Sequence, residues 1–224
     1  MNLATERPFV DLSTTRFIRD IAQIPDHHSP GRFQTAPQAT IHTWSTEMDA
    51  LVLVVPDRPT ADILVLCYER YLYPLFPLLH MPTFYEQYEL IWNAQGQAQF
   101  ASLASKVSFY AILNIVLALG CLNNSHIEHP LKQRTAQVFY HRARHLLPLD
   151  ALDEPSMEVV QYLLLTVIYL SCTKYSSRCC NALAVAIRVA QSLGLHLSHE
   201  TNSDNQLARE MGKRVWYHCL SLER

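Results

Sequence analysis

Two histidines near the middle of the chain have a spacing that suits a metal site. His141 and His145 are four residues apart, so on a helix they share one face, as the histidines of helical zinc motifs do. Arg142 and Arg144 stand between them, and their positive charge opposes a divalent ion. No glutamate follows His141 as the metalloprotease motif requires. The sequence therefore favours an exposed basic face over a metal site. The same interpretation covers the two other histidines of this region, His126 and His129.

Three cysteines are candidates for redox chemistry. Cys179 and Cys180 are adjacent, Cys172 precedes them, and Arg178 would lower the pKa of a neighbouring thiol. Adjacent cysteines rarely reach disulfide geometry, so we expect these thiols to be packed inside a helix, where they act as small apolar side chains. The chain has no C-x-x-C pair, which predicts a reducing, intracellular compartment and no structural zinc.

The sequence lacks the motifs that would make the chain an enzyme. It contains no G-x-S-x-G, no H-E-x-x-H and no glycine-rich phosphate loop, and it has only five glycines. Its apolar segments carry almost no Asp or Glu, so no general acid–base pair is visible. We therefore predict no catalytic, cofactor-binding or metal-binding residues. A helical enzyme acting on a small molecule is the weakest alternative.

Arg188 is the charged residue with the most apolar neighbours in sequence. It stands among aliphatic residues, which predicts that it is partly buried. A buried guanidinium needs a carboxylate or carbonyl groups, and Glu210 is the first candidate partner and Glu158 the second.

The segment 74–82 is the sharpest local feature, with three prolines in nine residues. It cannot form a regular helix, and it is too apolar for a solvated loop. Two interpretations remain open. The segment lines a pocket for an inducer, with His80 at its rim, or its prolines and Phe76 fix a tight corner between helices. The packing interpretation is favoured, and in it His80 needs a hydrogen-bond partner, expected to be a backbone carbonyl.

Composition places these features in a globular protein. The chain has 224 residues, of which 49% are hydrophobic and 17% charged, with a formal net charge of −2. This length allows a sizeable core, and the charge balance excludes a free-standing electrostatic nucleic-acid binder. The N-terminus lacks the pattern of a signal peptide, and residues 1–56, which are rich in proline and polar residues, are predicted to be mostly irregular linker.

From residue 57 onward the apolar residues recur at helical spacing, which predicts an all-α, multilayer array of about seven helices. Three of them, 109–122, 157–172 and 182–195, are apolar nearly all round and must be surrounded by others. The run 107–122 is too short to span a bilayer and is predicted to be a buried helix. The helices are expected at about 61–73, 84–93, 100–122, 130–147, 156–173, 177–193 and 205–223.

Residue types also predict where several of these helices begin and end. Thr60 is expected to cap the first helix, and Thr83 and Glu86 to form a capping box at the second. Prolines suit first-turn positions and glycine suits the left-handed position after a helix. The remaining expected positions are Pro130 and Pro155 in first turns, Gly194 after a helix, and a second capping box at 203–206.

Four stretches in order, 73–84, 155–161, 183–196 and 209–217, are similar to the fungal-specific transcription factor domain, the middle homology region of zinc-cluster regulators. The resemblance covers about 57–224. It implies transcriptional control in the nucleus, the relay of the state of a small-molecule inducer or the masking of an activation region, and no membrane.

The sequence departs from that family in two ways. No cysteine precedes Cys67, so DNA contact and zinc are expected only through a six-cysteine cluster that this chain does not carry. The family domain also continues beyond Arg224, so we expect an array that is incomplete at its C-terminus and that associates with itself or with a protein partner. The alternative is a stand-alone, truncated paralogue that acts as a protein-interaction module.

Overall fold

The computed structural model describes residues 55–93, 103–147, 155–197 and 206–223. Within these ranges the chain forms seven helices and no strand, which confirms the predicted all-α array. The predicted irregular segment 1–56 lies almost entirely outside the described residues and stays a prediction. The helices are α1 (Arg58–Tyr71), α2 (Met81–Trp92), α3 (Leu103–Asn123), α4 (His129–Leu146), α5 (Met157–Ser171), α6 (Ser176–Ser192) and α7 (Gln206–Glu223).

Helix α3 lies at the centre of the fold. Every residue from Phe109 to Cys121 is buried, and α3 packs against α1, α4 and α5. Its 106–123 window is long and apolar enough to cross a membrane, but 72% of that window is buried inside the protein. The prediction of a buried helix here is therefore confirmed.

Helix α5 is the second helix with no exposed face over most of its length. All residues from Val159 to Leu170 are buried, and α5 packs against α3, α6 and α7. A helix that is apolar on every face needs neighbours all round, and these contacts supply them. The prediction for 157–172 is confirmed over these residues.

Helix α6 differs from the prediction that it is surrounded. Ala186, Val189 and Ala190 are buried, but Ala184 and Arg188 are exposed. The error has a simple cause, because alanines raise the apolar count of a segment without needing cover. The predicted burial of Arg188 is also wrong, because Arg188 lies on the exposed face of this amphipathic helix although its sequence neighbours are aliphatic. Its first candidate partner, Glu210, instead accepts from Lys213 at 3.1 Å on the surface of α7.

Three helices carry proline two residues after the N-cap, and this explains two errors about where helices begin. Asp57 caps α1, so the helix starts before Pro59 and the Thr60 hydroxyl donates to the Asp57 carboxylate at 2.8 Å. His80 caps α2 in place of Thr83, with Pro82 in the first turn. Proline is tolerated there because first-turn N–H groups have no partner within the helix. The sequence interpretation wrongly began both helices after the proline.

The remaining predicted termini divide into three groups. Pro130 lies in the first turn of α4, as predicted. Pro155 lies outside α5, because Ser156 is the cap and accepts from the Val159 amide at 3.3 Å. Gly194 follows α6 with a φ of 73°, and the Leu195 amide donates to the Ala190 carbonyl at 3.0 Å, which is the predicted left-handed helix end. The predicted capping box at 203–206 falls mostly outside the described residues.

Candidate functional site

The proline-rich segment 74–82 packs as a corner between α1 and α2. Leu78 and Leu79 are buried, and the Gln161 side-chain amide in α5 donates to the Leu78 carbonyl at 2.8 Å. The Phe76 ring lies 5.8 Å from the ring of His218 in α7. The corner is thus held from two other helices, which supports the interpretation of these prolines as a packing device.

His80 does not have the hydrogen-bond partner expected from the sequence. Its Nδ1 lies 2.8 Å from the Thr83 hydroxyl and accepts from the Thr83 amide at 3.4 Å. The ring therefore caps α2 and is not bonded to a backbone carbonyl through this nitrogen. This local role leaves the inducer-pocket interpretation of the corner without support from its geometry.

The histidines of α4 lie on a basic helix surface. His141 is half-buried with Nε2 3.3 Å from the Gln137 amide, and His145 is exposed. Within the described residues, no group of three or more His, Cys, Asp or Glu side chains is placed to hold a metal ion. Helix α4 itself contains no Asp or Glu. The described structure therefore favours the basic-face interpretation, and the absence of a metal site stays a prediction.

The three cysteines at the start of α6 and just before it are not all packed as expected. Cys172 and Cys180 are exposed, and Cys179 is half-buried with its thiol 3.5 Å from the Val167 carbonyl. Burial raises the pKa of Cys179, and its two neighbouring thiols add to that effect. A thiol held protonated is a poor nucleophile, so the geometry does not favour redox chemistry at Cys179.

A cavity of about 570 Å³ lies between α4 and the turn from α5 to α6. We call it the tyrosine groove. Three tyrosines and two cationic residues are central to its lining, together with amide and hydroxyl side chains. The tyrosines are Tyr140, Tyr169 and Tyr175, and the cations are Lys174 and Arg178.

The rings of the tyrosine groove are ordered by contacts with each other and with cations. Tyr140 and Tyr169 stack with their centroids 4.8 Å apart. The Arg178 guanidinium lies 4.6 Å from the centroid of Tyr175, a distance at which cation–π attraction operates. Burial raises the pKa of Tyr169, with a further contribution from Tyr140, so its hydroxyl keeps its proton at neutral pH.

The tyrosine groove was missed in the sequence because its residues are distant along the chain. Its walls come from α4, from 169–178 and from Leu122 of α3, and they meet only when α4 and α5 both pack against α3. One local signal was present: Lys174, Tyr175 and Arg178 place two cations around a ring in a short turn. A smaller cavity of about 200 Å³ lies against the outer side of α1, beside the exposed Leu66 and Tyr71.

The fold defines an all-helical domain built in layers around a buried central helix, with an open groove on one side. The family to which it belongs follows from comparison with known proteins. Residues 66–224 match the fungal specific transcription factor domain, and the chain is a member of that family. The resemblance found in the sequence is therefore confirmed.

Curated relatives agree with this assignment. The sorbicillinoid biosynthetic cluster transcription factor sor3 of Hypocrea jecorina is 30% identical over 169 residues, which is 75% of this chain and 25% of the relative. The sorbicillinoid biosynthetic cluster transcription factor 2 of Penicillium rubens is 30% identical over 179 residues, 76% of this chain and 25% of the relative. The transcription factor yanR of Aspergillus niger is 24% identical over 213 residues, 88% of this chain and 26% of the relative.

The chain thus spans about a quarter of the length of these relatives. No solved structure matches it. The family assignment places this chain in transcription regulation. It does not identify the activity or the partners of a whole regulator.

Proposed function

We propose that this chain is the helical regulatory part of a nuclear transcription factor that controls a biosynthetic gene set. It is not an enzyme, and it carries the state of a ligand or a protein partner to the rest of a regulator. DNA contact and zinc belong to a separate cluster of the kind that the family resemblance implies.

The observation that supports this proposal is the coincidence of the family match with the helical array. The match covers 66–224, and the described helices run from Arg58 to Glu223. The three relatives described above align with three quarters or more of this chain and are named as transcription factors, two of them as factors of a biosynthetic cluster.

A tethered reporter tests the proposal. The chain is fused between a heterologous DNA-binding domain and a constitutive activation region, and reporter output in a fungal host is compared with the same fusion lacking the chain. We expect the chain to change the output, because a regulatory domain masks or releases an activation region when both are held at a promoter. A variant that fails to fold, such as Gly120→Ala if it unfolds the chain, is the matched control. Equal output from all three fusions would reject the proposal.

A second candidate function is a protein-interaction module acting as a stand-alone chain. Large apolar side chains are exposed on the outer face of α7, where Tyr217 is 66% and Leu220 40% accessible. Exposed apolar clusters of this kind favour association. Sedimentation at micromolar concentration tests it, with Tyr217→Ser/Leu220→Ser as the variant. Association that this double variant abolishes supports the module, and a monomer with cooperative unfolding opposes it.

A further inference from the structure

We propose that the tyrosine groove binds a small organic anion with an aromatic or conjugated body. Arg178 and Lys174 would hold the anionic group, and the partly exposed ring of Tyr175 would pack against the flat body. The role of this ligand in regulating a transcription factor rests on the proposed function, whereas the binding itself is a property of this groove alone.

Positive charge around the groove has no described carboxylate to balance it. In the part of the chain that the structure describes, no Asp or Glu lines the cavity, and none occurs within α4, which forms one of its walls. The ion pairs found among the described residues involve Arg58 and Lys213, not Lys174 or Arg178. An anion entering the groove could therefore contact two cations without competing with a carboxylate of the described residues.

The sign of this local charge contrasts with the whole chain, whose formal net charge is −2. Lys174 and Arg178 are exposed and line the groove, so they would attract an anion through the solvent. The groove thus presents positive charge even though the protein is slightly acidic.

One ring is available to contact the ligand. Tyr140 and Tyr169 are buried and stack on each other, whereas Tyr175 is partly exposed beside the Arg178 guanidinium. A planar ligand body would lie against the Tyr175 ring, with aromatic contact added to the burial of area. The side chains of Gln137 and Thr173 offer donors and acceptors to hydroxyl or carbonyl groups on the ligand.

The volume of the groove favours a small molecule over a nucleic acid. About 570 Å³ falls within the range of small-molecule sites, roughly 300–1,000 Å³. A phosphate backbone is bound by cations spread over an exposed surface, and it needs no concave ring-lined space. Nucleic-acid binding through the same cations is therefore the alternative that the experiment must distinguish from small-molecule binding.

Calorimetric titration of the full chain with 2-naphthoate tests the proposal. Two comparators separate its parts: 2-naphthylmethanol keeps the rings without the charge, and cyclohexanecarboxylate keeps the charge without the rings. We expect saturable, submillimolar binding of 2-naphthoate, and binding of each comparator that is at least about tenfold weaker, since each loses one set of contacts.

Two arginines on α6 provide a matched pair of variants. Arg178 lines the groove and Arg188 does not, and both are exposed, so neither substitution should unfold the chain. Arg178→Gln should weaken 2-naphthoate binding by at least about fivefold, the loss expected for a charge-assisted hydrogen bond. Arg188→Gln should leave it unchanged. Tyr175→Leu should weaken binding of 2-naphthoate more than it weakens binding of cyclohexanecarboxylate.

Four results would overturn the site: no saturable 2-naphthoate binding, equal binding of the three probes, equal effects of the two arginine variants, or a duplex DNA that binds through Arg178 and displaces 2-naphthoate. The reporter experiment tests the proposed function independently of the groove. A chain that binds 2-naphthoate as expected but leaves reporter output unchanged contradicts the proposed function and keeps the site, and the reverse result keeps the function without this ligand.

Discussion

At the scale of single residues, Gly120 determines how closely the two helices α1 and α3 approach. A Cβ at this position would meet the carbonyl oxygen of Leu64 and lie 2.7 Å from its carbonyl carbon. Both obstacles are backbone atoms of α1, so neither can move aside cheaply. This role could not be predicted, because a glycine in an apolar run looks the same whether or not another backbone crosses it.

Gly120→Ala should therefore destabilise the protein by about 3 kcal/mol or more, because the added methyl group forces α1 away from α3. Chemical denaturation measures this. Gly212→Ala is the control in another helix interior, since its Cβ would lie 3.4 Å from the end of the Leu195 side chain. We expect that variant to be between unchanged and about 1 kcal/mol more stable, through better helix propensity. Equal losses in both variants would contradict the proposed helix crossing.

His218 gives the protein a specific pH dependence. Burial lowers the pKa of its imidazole below the usual value, next to the ring of Phe76. The unfolded chain therefore binds a proton at a pH where the folded chain does not, and stability falls as pH falls through the unfolded pKa of about 6.5 towards the lower folded value.

The test compares the melting temperature at about pH 7.5 and pH 5.5 for the wild type and for His218→Phe. The variant should lose less stability on acidification, because it has no buried ring to protonate. His129→Gln, at an exposed position of α4, should keep the wild-type pH dependence. A His218→Phe protein with the full wild-type loss would show that other groups cause it.

At the scale of helices, apolar periodicity predicted the existence of all seven, and it failed where local chemistry and tertiary packing compete. Prolines in the first turns of α1 and α2 shifted the predicted starts, and the alanines of α6 made an amphipathic helix look fully buried. The proline-rich corner was recognised as irregular, but its fixation by Gln161 could not be predicted, since the hydrogen bond joins residues 83 positions apart.

Gln161→Met removes that hydrogen bond while keeping the length of the side chain. We expect a loss of about 1–3 kcal/mol, because the Leu78 carbonyl loses this buried donor. Gln191→Met, on the exposed side of α6, should change stability by no more than about 0.5 kcal/mol. Urea denaturation of both variants gives the comparison. A Gln161→Met protein as stable as the control would mean that the corner holds itself in place.

At the scale of the whole molecule, the fold class and the family could be predicted, whereas the candidate site could not. Long apolar runs dictate central helices almost by themselves, so α3 and α5 follow from hydrophobicity. The tyrosine groove depends on how α4 and α5 both pack against α3, and nothing in the local sequence indicates that arrangement. The reason is physical. Burial of a helix leaves an apolar pattern in its own sequence, whereas a groove forms only when separate helices pack together.

The proposed function requires that these helices regulate transcription without holding DNA themselves, and fluorescence anisotropy with labelled DNA duplexes tests this directly. The chain has a formal net charge of −2, so its phosphate contacts are few and any electrostatic affinity should be lost at about 150 mM salt. The expected result is no saturable binding below micromolar concentrations of protein at that salt, for a pool of random sequences. Submicromolar binding that survives physiological salt and prefers one sequence would contradict it, because the helical array would then read DNA itself.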